Sequence, residues 1–244
     1  NAIKFIIKYV KMKHNPFSIV IPIFNEEDNI EILIDEIFLN LNDYSEFEII
    51  IVNDGSIDNS STTISNLKYQ NLKFIDRNIN KGQSYSILEG VKNSKYQTII
   101  TLDGDGQNNP KDIPILLNKY FSDKQLSLVG GIRVKRKDSF IKILSSRIAN
   151  RVRAFILKDN CSDTGCSLKV FDKKIFLTFP FFTGMHRFLP ALFSGFGYKT
   201  FFLEVDHRKR KKGFSKYGTF DRLYKGIIDI RKVINILKEN KDIK

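Results

Sequence analysis

Only two cysteines, Cys161 and Cys166, occur in 244 residues, which excludes a small fold stapled by disulfides and points to reduced thiols. They stand five apart with no histidine or further cysteine in a zinc pattern, so they read as buried thiols. No apolar run approaches the roughly 18–20 residues that cross a bilayer, and the expectation is a chain that does not span a membrane. With 14 glycines, 6 prolines, 42% hydrophobic and 12% aromatic residues, a collagen-like, low-complexity or disordered protein is excluded too. The opening AIKFIIKYVKMKHN carries apolar residues and lysines but no small-residue cleavage site. It reads as a surface or peripheral segment, not a signal peptide.

Acidic side chains are scarce in one half only. Residues 1–125 hold 17 of them against 13 basic ones, whereas residues 126–244 hold 10 against 27, within a net charge of +13. Such asymmetry suggests that the second half meets a polyanion. Nucleic acid, an anionic membrane surface and phosphate groups all qualify, and composition does not choose among them.

The first half alternates strands and helices. FSIVIPIF, 17–24, is a continuous apolar run suited to a strand buried on both faces, and Asn25 after it is a good helix N-cap. Residues 26–41 repeat Ile30, Leu33, Ile34, Ile37 and Leu41 at helical spacing. The pattern then predicts strands over 48–52, 72–76 and 98–102 and helices over 58–69 and 83–93. Alternation of this kind means a mainly parallel sheet with helices on both faces, which gathers ligands at the carboxyl ends of its strands. Beyond 125 the pattern is less regular: strands over 126–129, 167–171 and 200–205, helices over 139–157 and 185–194, and an amphipathic helix over 220–237. No linker or internal repeat interrupts it. The simplest organisation is a leader over 1–16, one domain over 17–237 and a tail over 238–244. The domain divides into a nucleotide- and metal-binding half, 17–125, and a basic acceptor half, 126–237.

Short acidic, glycine-bearing turns follow the strands. In DGDGQ, Asp103, Asp105 and Gln107 stand at alternate positions after a strand, the hard-oxygen set that suits Mg²⁺ or Mn²⁺. Spacing alone leaves a solvated acidic turn equally open. Asp54, Gly55, Ser56 and Asp58 form a second such turn, and two of them at neighbouring strand ends strengthen the case for a nucleotide site.

The series VIPIFNE, VNDGSIDNS, NKGQS, LDGDGQ, GGIRV, SDTGCSLKVF, MHRFLPAL and HRKRKKGFSKYG resembles family 2 glycosyltransferases of the polyprenyl-phosphate, dolichol-phosphate mannosyltransferase-like type, in unbroken order from about 18 to about 237. The resemblance implies a GT-A (Rossmann-like) fold and inverting transfer of a mannose- or glucose-type sugar from a GDP- or UDP-linked donor to a polyprenyl phosphate. It places Pro22, Asn25 and Glu26 beside the nucleotide, Asp54 at its base or ribose, and Asp103, Asp105 and Gln107 on a divalent cation. It gives Arg133, Arg147 and Arg151 to the acceptor phosphate, and Arg208, Arg210, Ser215 and Lys216 to a segment folding over the donor diphosphate. A solvated cationic face is the alternative for these arginines, and it is the reading for Lys209, Lys211 and Lys212. The implied location is the cytoplasmic face of an anionic membrane, held peripherally. Helix 220–237 fits an interfacial role or core packing equally.

A lipid monophosphate has a second pKa near 6, so its oxygen is largely anionic at neutral pH and needs positioning, not a base. His186 reads as structural, His207 as orienting the basic segment, and His14 belongs to no motif. Two other readings remain. A GT-A enzyme acting on a saccharide or protein hydroxyl needs a carboxylate base, for which 126–200 offers Asp138, Asp159, Asp163 and Asp172. A nucleic-acid binder would use the charge, but it gives the acidic loops no role, and no zinc knuckle, helix-turn-helix signature or aromatic RNP-type run is present.

Overall fold

A computed structural model describes residues 15–134, 150–209 and 219–242. In chain order the elements are β1 (Phe17–Ile23), α1 (Ile30–Asn40), β2 (Phe47–Asp54), α2 (Ser60–Ser65), β3 (Leu72–Arg77), α3 (Gln83–Lys92) and β4 (Thr98–Thr101). A 3-10 turn, Pro110–Asp112, leads into α4 (Ile113–Ser122) and β5 (Leu126–Arg133). Then come α5 (150–157), β6 (Lys169–Asp172), α6 (Lys173–Thr178), a 3-10 turn at Met185–Phe188, α7 (Leu189–Gly195), β7 (Lys199–Val205) and α8 (Thr219–Asp242).

Seven strands form one sheet in the order β3-β2-β1-β4-β6-β5-β7. Only β6 runs against the others, pairing antiparallel with β4 and β5. Both halves of the sequence therefore share a sheet, and six strands point their carboxyl ends to one edge. Alternation along β1 sorts the core into two layers: Phe17, Ile19, Ile21 and Ile23 face α1 and α4, while Val20 faces α3, α6, α7 and α8. All of these are fully or nearly fully buried, each stabilising by roughly 1.5–3 kcal/mol.

Several expectations are corrected here. The first helix becomes regular at Ile30, not directly after Asn25, because Asn25 adopts a left-handed backbone (φ 54) and its carbonyl Oδ1 accepts from the Ile57 N–H at 2.9 Å. Its side chain caps the neighbouring loop instead of its own helix. Residues 110–122 and 173–178, for which the sequence pattern predicts no element, are helical. The α8 helix packs against the core through Ile230, Val233, Ile234 and Leu237, while Ile227 and Ile228 on it stay exposed. Of the predicted 139–157 helix, residues 150–157 are described and are helical. Among the described residues no helix is long and apolar enough to cross a membrane.

Candidate active site at the carboxyl edge of the sheet

Two glycines shape the DGDGQ loop that leaves β4. A Cβ on Gly104 would meet Ile23 Cγ2 at 2.6 Å, so only glycine lets the loop lie against β1, and Gly106 takes the left-handed backbone (φ 70) that turns it. Asp103 and Asp105 stand half-buried on either side of Gly104. Desolvation, followed by the charge of Asp105, pushes the Asp103 carboxyl up to about 6, against the opposing pull of Ser167, Lys169 and Arg133. Asp103 Oδ1 accepts from Gln83 Nε2 at 2.7 Å, and its backbone N–H donates to Ser167 Oγ. Gln107 donates its amide nitrogen to the Arg208 carbonyl at 3.4 Å, which turns its Oε1 the other way.

This donor set fits a hard divalent cation: two carboxylates, on either side of Gly104, plus an amide oxygen. No group of three or more His, Cys, Asp or Glu able to hold a metal exists among the described residues. The loop by itself would therefore supply only part of a coordination shell.

Loops after β1 and β2 are laced together beside it. The Asn25 and Glu26 N–H groups donate to Ser56 Oγ (2.8 Å) and Ser60 Oγ (2.9 Å), and Glu27 and Asp58 each accept from the other's loop. Glu26 is buried and accepts from Asn29 Nδ2. Pro22 is buried near the end of β1, past the last residue paired with β4, with its carbonyl against Gly104. Asp54 holds the loop before α3: its oxygens accept from Arg77 (2.5 Å) and from the Lys81 and Gly82 N–H groups (2.8 Å each).

Across β6 lies the basic side. Thr101 and Gly130 both pair with Lys169, so the ends of β4 and β5 flank the same strand, with Asp103 on one side and Arg133 on the other. Arg133 grips Asp163 with a two-pronged contact, Nε–Oδ2 and Nη2–Oδ1 both 2.7 Å. Burial works against the Arg133 charge, and the Asp163 carboxylate more than offsets it, holding the guanidinium above its ordinary range. Arg151 is exposed on α5. Arg208 reaches Glu36 and Asn109 (2.5 Å each), while its backbone N–H pairs with Gln107. Arg147, Arg210, Ser215 and Lys216 lie outside the described residues.

Three residues join the site without having been assigned from sequence. Gln83 orients Asp103. Lys169 is buried in β6, its ammonium on the Thr164 and Cys166 carbonyls, and desolvation pulls its pKa down. A lysine within the apolar run SLKVF was the available signal. Ser84 links His186 to the same helix end, its Oγ 2.6 Å from Nδ1 while accepting from the Gly184 N–H. That oxygen accepts from both the Gly184 and the His186 N–H, which fills its two acceptor sites, so the serine proton goes to Nδ1 and the ring carries its own on Nε2. Burial, Arg187 and Lys169 push the ring down to about 3, so it is neutral.

Residues 18–179 match the family model described as glycosyl transferase family 2. The chain is 33% identical over 230 residues to the dodecaprenyl-phosphate galacturonate synthase of Rhizobium johnstonii, covering 91% of this chain and 67% of that protein. It is 32% identical over 205 residues to the undecaprenyl-phosphate 4-deoxy-4-formamido-L-arabinose transferase of Aeromonas hydrophila, covering 82% and 62%. It thus spans about two thirds of the length of these relatives. Glucosyl-3-phosphoglycerate synthase from Mycobacterium tuberculosis, solved with Mn²⁺, UDP and glucosyl-3-phosphoglycerate, superposes with a TM-score of 0.68 at 15% identity, over 96% of this chain and 82% of that one. The shared fold is the GT-A architecture expected from the sequence.

Proposed function

The chain belongs to glycosyl transferase family 2, and on that premise we propose that it moves a sugar from a nucleotide-diphosphate donor to the phosphate of a polyprenyl lipid, inverting the anomeric carbon. The names of the two relatives, which both carry a polyprenyl phosphate, support the acceptor class. The observation that carries the reading is the facing of charges across β6, with carboxylates at the end of β4 and a guanidinium at the end of β5.

Asp103, Asp105 and Gln107 would hold a divalent cation, Mg²⁺ or Mn²⁺, which supplies positive charge to the departing diphosphate. The laced loops after β1 and β2 form the wall for the nucleoside. Arg133, fixed by Asp163, offers its remaining N–H groups to the lipid phosphate and lowers the repulsion between two phosphate-bearing substrates. A phosphate oxygen forms the new bond to the sugar carbon as the bond to the diphosphate breaks, and the nucleoside diphosphate takes the electron pair.

A hydroxyl acceptor would need a base, and the described carboxylates between 126 and 200 are engaged elsewhere. Asp159 binds Arg153, Asp163 binds Arg133, and Asp172 caps α6 through the Ile175 N–H. Neutral His186 has its basic nitrogen on Ser84. These pairings favour an acceptor that is already an anion.

The test is turnover of GDP- and UDP-linked sugars with Mg²⁺ or Mn²⁺, the panel including uronic and amino sugars because the relatives' names carry them. Transfer is expected only with polyprenyl phosphate, with Asp105→Ala lowering the rate about a hundredfold or more. Full rate in a chelator, or equal rate with a saccharide acceptor, overturns the reading.

A further inference from the structure

We infer that α5 is the surface on which the protein seats against an anionic lipid bilayer, with Val152, Phe155 and Ile156 entering the boundary between headgroups and acyl chains. The inference rests on the lipid-phosphate acceptor proposed above and assigns where that lipid's membrane lies.

Isolated exposed apolar residues are ordinary on a protein surface. The three on α5 are not isolated. They stand at i, i+3 and i+4, one stripe of a helix, with 52%, 85% and 43% of their surfaces exposed. The opposite side of the helix is fixed inward: Leu157 is buried in the core, and Arg153 is buried on Asp159 and the Cys161 carbonyl. The apolar stripe therefore faces outward because the other face is committed. Exposed Arg151 and Lys158 border it, cations placed for headgroup phosphates.

Attachment to the site is direct. Asn150 Oδ1, at the described start of the helix, accepts from Thr164 Oγ1 at 3.2 Å, and the adjacent Asp163 holds Arg133. A bilayer meeting the stripe would thus present its phosphates beside the arginine that the acceptor needs. The α8 helix, whose amphipathic pattern offered another route to the membrane, commits Ile230, Val233, Ile234 and Leu237 to the core and leaves Ile227 and Ile228 exposed.

The test uses the chain with vesicles of phosphatidylcholine, with and without phosphatidylglycerol, followed by sedimentation. Binding is expected to the anionic vesicles and to fall with salt. Phe155→Ser is expected to weaken it about tenfold or more, and Val152→Ser to weaken it in the same direction, with Tm unchanged because both side chains are exposed. Transfer to polyprenyl phosphate embedded in vesicles should fall in parallel, while transfer to a short, water-soluble isoprenyl phosphate keeps its rate. Wild-type protein that ignores anionic vesicles, or variants that bind them equally, overturns the inference. So does a Phe155→Ser protein that changes oligomeric state while its vesicle binding is unaltered, since the stripe would then be a contact between copies. If wild-type protein is inactive on both the soluble and the embedded acceptor, the proposed activity fails, and sedimentation alone decides the membrane surface.

Discussion

His186 illustrates how single side chains are held at this site. Its Nδ1 takes the Ser84 hydroxyl, and with burial and two nearby cations the ring stays neutral. A histidine whose folded pKa is depressed favours the fold while the unfolded ring is also neutral, and loses that advantage as pH falls from about 6.5 toward 3. His186→Asn keeps an acceptor for Ser84 but has nothing to protonate. Urea unfolding across pH should therefore show wild-type stability falling more steeply than the variant's below pH 6.5, and parallel curves would contradict the buried neutral ring. Gln83 is tested differently. Its amide orients Asp103, so Gln83→Ala should weaken Mn²⁺ binding by about 10–100-fold, as loss of a partner behind a ligand does; an unchanged Mn²⁺ titration would remove that role. Asp103, Asp105 and Gln107 stand out in the sequence because hard-oxygen side chains alternate with glycines there. Gln83 was not legible there, since its partner Asp103 lies 20 residues away along the chain, and Lys169 was not, since the carbonyls that hold its ammonium are backbone groups the fold brings to it.

At the level of elements, tight contacts between helix and sheet set what the sequence tolerates. Gly90 lies in α3 where a Cβ would meet Val20 Cγ1 at 2.4 Å. Replacing a mid-helix glycine by alanine ordinarily gains up to about 1 kcal/mol, but Val20 is β-branched and buried in β1, and overpacking there costs about 1–3 kcal/mol. Gly90→Ala should accordingly lower Tm by several degrees, and a raised Tm would show that α3 shifts freely. The strands β1 and β2 could be read as continuous apolar runs because both of their faces are buried, and α1 and α3 by periodicity because each buries one consistent face. The reversed direction of β6 could not, because a short buried run has the same composition in either direction. Nor could the start of α1, where Asn25, a favourable cap residue by type, reaches to the loop after β2 instead.

Across the whole molecule, the charge asymmetry of the sequence becomes spatial. Acidic loops end the strands of the first half, and the basic side meets them across β6 within one sheet. The partners of Arg133 and Arg208 escaped sequence reading, because the carboxylates that hold them, Asp163 and Glu36, are joined to them only by folding. On the proposed function, a cation for the leaving diphosphate would stand on one side of the reacting carbon and an arginine for the acceptor on the other. Crystals soaked with Mn²⁺ and a nucleotide sugar, measured for anomalous scattering, test it most directly. The account predicts one manganese peak in contact with the Asp105 carboxylate and the donor diphosphate, on the Asp103 side of β6. A peak on other residues, with the diphosphate bound away from this loop, would contradict it.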